Sequence, residues 1–275
     1  MRRESARRLA ARDEANHVVA RRSKTALAFF GYIFERTLKR DFHALRVLRA
    51  GNLPQVAATR LVVYANHPSW WDGVLYVVLA RRLFENFRAF APIDAKMLEQ
   101  YAILARLGAF GVARDSSQGA VDFIETSRTV LRDPGSMMFV AAQGRFADVR
   151  ERPLQLSPGL AHLADLAPDV IFLPLAVETT FWIEKQPELL ISFGQPISAS
   201  SIAALSKQQR LALLEERLDQ TMNELRAGSI GRDHSQFETL IEGRSQINAV
   251  YDAWRRLLAF ARGRDFRPGH DPGSA

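Results

Sequence analysis

The stretch Leu61-Val62-Val63-Tyr64-Ala65-Asn66-His67-Pro68-Ser69-Trp70-Trp71-Asp72-Gly73 decides how this chain is read. Its first five residues form a short apolar run of the length and composition of a buried strand. Pro68 fixes the backbone just after His67, and a helical pattern follows over about residues 71–84. His67 and Asp72 therefore stand where a strand ends and a helix begins, a place where α/β folds concentrate function. A carboxylate at this spacing can orient an imidazole, and an oriented imidazole can take a proton from a hydroxyl. On spacing alone, a helix-capping aspartate or a core histidine explains the same residues. Trp70 and Trp71 add apolar bulk that excludes water and suits a lipid-like ligand.

Outward from this junction, strand and helix patterns alternate. Strands are predicted at 88–93, 137–142, 170–177 and 189–193, and helices at 95–107, 118–132, 160–166 and 206–226. Gly108 to Asp115 reads as a loop or short strand. This alternation predicts an α/β fold, with a mixed, largely parallel central sheet flanked by helices. A last helix is predicted over 234–262, carrying Phe237, Leu240, Ile241, Ile247, Trp254 and Leu258. Upstream, Leu27, Phe30, Leu38, Phe42, Leu45 and Leu48 recur at helical spacing, so a helix is expected over 25–49, stopped by Gly51-Asn52-Leu53-Pro54. The expected organisation is a basic helical, membrane-associating N-terminal extension over 1–54, a domain over 55–262, and a disordered Pro- and Gly-containing tail over 263–275.

The 275 residues are 47% apolar, which supplies a full core and excludes wholesale disorder. There is no cysteine, which rules out disulfides, zinc-thiolate sites and thiol nucleophiles. The net charge of +7 is concentrated at the start: residues 1–50 hold 13 Lys or Arg against 5 Asp or Glu, and the remainder is close to neutral. A basic arm on a neutral body points to an anionic partner such as phospholipid headgroups, nucleic acid or an acidic carrier protein. The apolar stretch Ala26 to Phe34 is too short to span a membrane and lacks the cleavage pattern of a signal peptide. Flanked by Lys24, Arg36, Lys39 and Arg40, it fits a helix lying in the membrane interface, or one packed on the domain with a solvated basic face. No nucleic-acid motif accompanies the arm, so nucleic acid is not the expected partner. There is no Gly-x-Ser-x-Gly elbow and no phosphate-cradling Gly-Lys-Ser or Gly-Lys-Thr loop. None of the six histidines has a second His at metal-site spacing, so no metal is expected. His162 reads as structural, and His17, His43, His234 and His270 as surface positions.

Three further segments extend the pattern: Gly108-Ala109-Phe110-Gly111-Val112-Ala113-Arg114, Phe139-Val140-Ala141-Ala142-Gln143-Gly144-Arg145 and Phe172-Leu173-Pro174-Leu175-Ala176. In order and spacing, these and the His67–Asp72 stretch resemble the four blocks of the glycerolipid acyltransferase family, over about residues 55–200. Leu156-Ser157-Pro158-Gly159 resembles the family's Gly-containing segment after the third block. The resemblance implies that His67 is the general base for an acceptor hydroxyl and that Asp72 holds its tautomer. The resulting alkoxide would attack an acyl thioester directly. It implies that Arg114 binds an anionic group of the acceptor, that Pro174 shapes the pocket wall and that Gly144 lets backbone approach the substrate. The implied partners are a membrane phospholipid surface, a lipid acceptor, and acyl-CoA or acyl carrier protein as co-substrate, with no bound cofactor. The implied place is peripheral, on the cytoplasmic face of a membrane.

The third block departs from the family's usual Phe-Pro-Glu-Gly-Thr-Arg. Here Ala142, Gln143, Gly144, Arg145 and Phe146 stand at the last five of those positions. Gln143 can hydrogen-bond a hydroxyl but cannot balance a cation, and Arg145 is displaced by one residue. This shifts the expected acceptor from a glycerol-3-phosphate type towards a lysophospholipid with another headgroup, a glycolipid or another lipid alcohol. Surface ion pairs with Asp115 or Asp148 are the alternative for Arg114 and Arg145. A non-catalytic lipid- or anion-binding protein that keeps the fold is the alternative for the whole chain.

Overall fold

The computed structural model describes residues 17–51, 60–114 and 116–243. A nine-stranded sheet organises them. Its strands are β1 (Ala44–Leu48), β2 (Arg60–Ala65), β3 (Arg88–Asp94), β4 (Ala109–Val112), β5 (Ser136–Ala141), β6 (Val170–Thr180), β7 (Glu188–Phe193), β8 (Ile197–Ser198) and β9 (Phe237–Glu242). The spatial order is β4-β3-β5-β2-β6-β7-β1-β9, with β8 beside β6. The first five strands of that order run parallel, while β7 is antiparallel to β6 and β9 antiparallel to β1. This is the mixed, largely parallel α/β architecture that the alternating pattern predicts.

The strands at the centre are apolar throughout because both faces of the sheet are covered. Leu61, Val63 and Ala65 of β2 face one core, shared with Leu38 of α1 (Lys24–Asp41) and with Val74, Leu75 and Leu79 of α2 (Trp71–Arg82). Val62 and Tyr64 face the other, shared with Val130 and Leu131 of α5 (Ser117–Arg132) and Leu214, Leu218 and Leu225 of α7 (Lys207–Gly231). Helix α7 starts on a capping box between Ser206 and Gln209, which satisfies two otherwise orphaned backbone donors. Between α2 and α5 the predicted helix over 95–107 is two short ones, α3 (Ala95–Gln100) and α4 (Ile103–Arg106), broken at Tyr101. The predicted helix over 160–166 is a single α-turn, α6 (Gly159–His162), continued as a 3-10 turn.

Two helical expectations are corrected. The helix expected over 25–49 ends at Asp41, and Ala44–Leu48 is strand β1, fully buried between β7 and β9. The spacing of Phe42, Leu45 and Leu48 imitates a helical stripe, but a strand covered on both faces also tolerates apolar residues at any interval. The helix expected from 234 is a 3-10 turn followed by β9, whose Phe237 and Ile241 are buried. The remainder of that predicted helix, the tail over 263–275, and residues 1–16 and 52–54 of the N-terminal extension lie outside the described residues. Among the described residues, no helix is long and apolar enough to cross a membrane.

Candidate active site

Strand β2 ends at Ala65, and Asn66 fixes what comes next. Its buried side chain donates to the Val177 carbonyl and accepts from the Val177 N–H, both at 2.8 Å, which ties the end of β2 to β6. His67 follows in the turn, and Asp72 lies in the first turn of α2, fully buried. The Asp72 carboxylate (Oδ2) is 2.6 Å from His67 Nδ1 and accepts a longer bond from the Ser69 N–H at 3.4 Å. The other oxygen, Oδ1, is buried and has no hydrogen-bond partner among the described residues. Burial pushes the Asp72 carboxyl above its ordinary value, and the bonds from His67 and Ser69 act against that rise. The positive end of α2 also favours the carboxylate. With its Nδ1 proton held by Asp72, the imidazole keeps Nε2 for a substrate proton.

The loop after β5 closes over this pair. The Ala147 N–H donates to the His67 carbonyl at 3.0 Å, and the Phe146 ring stacks on the His67 ring at 4.3 Å between centroids, inclined by 27°. Phe146 is nonetheless 54% exposed, so its other face meets solvent. This contact was not anticipated from the sequence, because it depends on how the loop folds back. Gln143 is buried and spends its amide on backbone. Its oxygen accepts from the His67 N–H at 3.3 Å, and its nitrogen donates to the Leu154 carbonyl at 3.0 Å. It therefore holds His67 in place and links it to the segment after the loop. Gly144 has φ +65, and a Cβ there would make only an ordinary contact with Ser157, so what glycine supplies is the left-handed turn.

The other expected site residues are distributed around the dyad. Trp70 is 64% exposed at the N-terminus of α2. Trp71 packs edge-on against Phe42, with centroids 4.9 Å apart. Arg145 pairs with Glu151, and Arg114 pairs with Asp94 at 3.4 Å. Arg145 does not use Asp148, the acid nearest to it in sequence, which pairs with Arg150, and Asp115 lies outside the described residues. Arg114 follows β4, three strands from β2, or about 14 Å at normal strand spacing. Pro174 does not stand at the mouth. It is buried within β6 opposite Tyr64, and a Cβ built on Gly194 would come within 2.7 Å of its ring. A cleft of about 790 Å³ lies elsewhere, between α3, β4 and α5, with Val18, Leu98, Phe110 and Gln118 in its wall. No residue of the dyad lines it.

His43, expected at the surface, is half-buried and forms a second histidine–carboxylate pair. Its Nδ1 lies 2.5 Å from Glu188, whose other oxygen accepts from Arg46 at 3.0 Å. The Glu188 carboxylate raises the His43 pKa. This pair knits β1 to β7, as its position at the start of both strands requires.

An imidazole held by a carboxylate at the carboxyl ends of parallel strands is an arrangement that can exchange a proton with a hydroxyl or thiol. Residues 43–178 match the model of the Acyltransferase family, a span that takes in β1, the dyad, the loop after β5 and most of β6. The match supports acyltransferase activity in general. No curated protein matches the chain.

Proposed function

We propose that this protein moves a fatty acyl group from a thioester, carried by CoA or acyl carrier protein, to a lipid hydroxyl at a membrane surface. The observation that carries the proposal is the 2.6 Å contact between His67 Nδ1 and Asp72 at the carboxyl ends of the parallel strands. His67 Nε2 takes the proton of the acceptor hydroxyl as its oxygen attacks the thioester carbonyl. Asp72 stabilises the imidazolium that forms. The tetrahedral intermediate collapses, the carbon–sulfur bond breaks, and the leaving thiolate takes the proton from His67. No acyl-enzyme is needed, and every proton moved is accounted for by the one imidazole.

The proposed place is peripheral, on the cytoplasmic face of a membrane, and the surface of α1 supports the peripheral part of that reading. The helix packs through Gly31 and Leu38, while Phe29, Tyr32 and Ile33 face outward beside basic residues. Trp70 and Phe146 give the mouth of the site the same amphipathic character. A positioned base contributes about 10²- to 10⁴-fold, so His67→Ala should cost that much in thioester-dependent acylation while leaving the circular dichroism spectrum intact. Turnover by the variant within tenfold of wild type would sink this mechanism.

A further inference from the structure

We infer that the acceptor taken beside His67 is an uncharged lipid alcohol, with no phosphate next to its reacting hydroxyl. This rests on the acyl-transfer proposal and narrows its substrate. The loop that closes over the dyad carries three arginines, and each ends on a carboxylate. Arg145 grips Glu151 with both terminal guanidinium nitrogens, Arg150 grips Asp148, and Arg152 reaches Asp219 on α7. Arg114 is likewise paired with Asp94. The group laid directly on the His67 ring is Phe146, and three residues after His67 the exposed Trp70 caps the start of α2. Gln143, which is neutral, has its amide committed to the backbone of His67 and Leu154.

The charge on this rim is therefore balanced before any substrate arrives. A phosphate drawn to Arg145 would share the guanidinium with Glu151, whose carboxylate would face the phosphate at short range, where like charges repel. A neutral alcohol meets no such opposition. Its hydroxyl hydrogen-bonds to Nε2, and its neighbouring carbons lie against the open face of Phe146 and against Trp70, where aromatic surface favours apolar contact. Specificity then comes from a repulsive element as much as from an attractive one.

The test uses the full chain with palmitoyl-CoA and two micellar acceptors that share one acyl chain, a monoacylglycerol and its phosphate-bearing counterpart, a lysophosphatidate. Thiol release and acylated product are both followed. The neutral acceptor should have the higher kcat/KM, by about tenfold or more. In Glu151→Gln, Arg145 loses its carboxylate, and the ratio of the two kcat/KM values should move severalfold towards the phosphate-bearing acceptor. Thermal unfolding of the variant checks that its fold is kept. Preference of the wild type for the lysophosphatidate, or an unmoved ratio in folded Glu151→Gln, overturns the inference and leaves acyl transfer standing. Absence of acylated product with every acceptor, both from palmitoyl-CoA and from palmitoyl-acyl carrier protein, overturns the acyl-transfer proposal itself, and this inference with it.

Discussion

Asp72→Asn separates what the buried carboxylate does for chemistry from what it does for the fold. Asp72 Oδ2 accepts from His67 Nδ1 at 2.6 Å and from the Ser69 N–H at 3.4 Å. An asparagine can be placed there in two ways. With its carbonyl at the Oδ2 position, both hydrogen bonds survive but the charge that stabilises the imidazolium is gone. With its NH₂ group there, Nδ1 must accept, the proton sits on Nε2, and no base faces the acceptor. Two unit charges about 4 Å apart near a protein surface interact by about 4 kcal/mol. A loss of about 10²- to 10⁴-fold in kcat is about 3–5 kcal/mol, the same order. Stability should move the other way. The folded-state pKa of Asp72 lies above its ordinary 3.8, so the folded protein binds this proton more tightly than the unfolded chain. That contribution to stability is present at low pH and falls as pH rises from 3.8 through the raised folded value. Asp72→Asn lacks this loss, so its Tm relative to wild type should increase with pH across that window. The assay pairs thiol release with thermal melts over the same pH series. Activity within tenfold of wild type, or a Tm difference that shrinks as pH rises, would refute the reasoning.

Three other perturbations probe the scaffold and the chemistry. Asn66→Ala strips the buried Val177 N–H and carbonyl of their partners, which should cost about 2–6 kcal/mol in chemical denaturation; a loss under about 1 kcal/mol would show that β2 and β6 are not joined through this side chain. His43→Gln tests the second pair, where Glu188 raises the histidine pKa above 6.5. Its stabilisation is full below 6.5 and is lost as pH rises through the folded value, so the Tm advantage of wild type over the variant should shrink on going alkaline. A constant advantage across that range would mean that the proton on His43 does not matter to the fold. The loss of turnover expected for His67→Ala completes the set, and Asp72→Asn should not exceed it, because both act through the same imidazole.

The parts of the fold legible in the sequence are those whose cause is local. Strands β2, β5 and β6 are short apolar runs because each is covered on both faces, and the junction at His67 announces itself through Pro68 and the polar residues around it. Strand β1 was hidden for a physical reason. Its one charged residue, Arg46, is neutralised by Glu188 at a distance of 142 residues, and its leucines continue the stripe of the helix before it. Strand β9 does not alternate: its buried Phe237 and Ile241 stand four residues apart, as on a helix, and its pairing with β1 shifts register between Leu45 and Arg46. At the site, His67 and Asp72 are five residues apart, so their meeting could be read from spacing. The stacking of Phe146 on His67 could not, since it requires the Ala147 N–H to return to the His67 carbonyl. Gln143 was expected to face a substrate, yet its amide serves the same return of the chain. Pro174 matches a family segment that belongs here to the core of the sheet.

The placement of β1 between β7 and β9 also sets an order of events during synthesis. This strand is among the earliest described segments to be made, but the carboxylate that neutralises Arg46 lies 142 residues further on. At about 5–20 residues per second, that interval is roughly 7 to 30 seconds. During it, an apolar strand with both edges unpaired follows directly behind the basic arm and α1. Folding of the mature sheet therefore closes from its two chain ends, after its parallel half has had time to form. Conditions that lengthen the wait, such as slowed translation before residue 188, should trap aggregates through β1 before they affect the strands around His67.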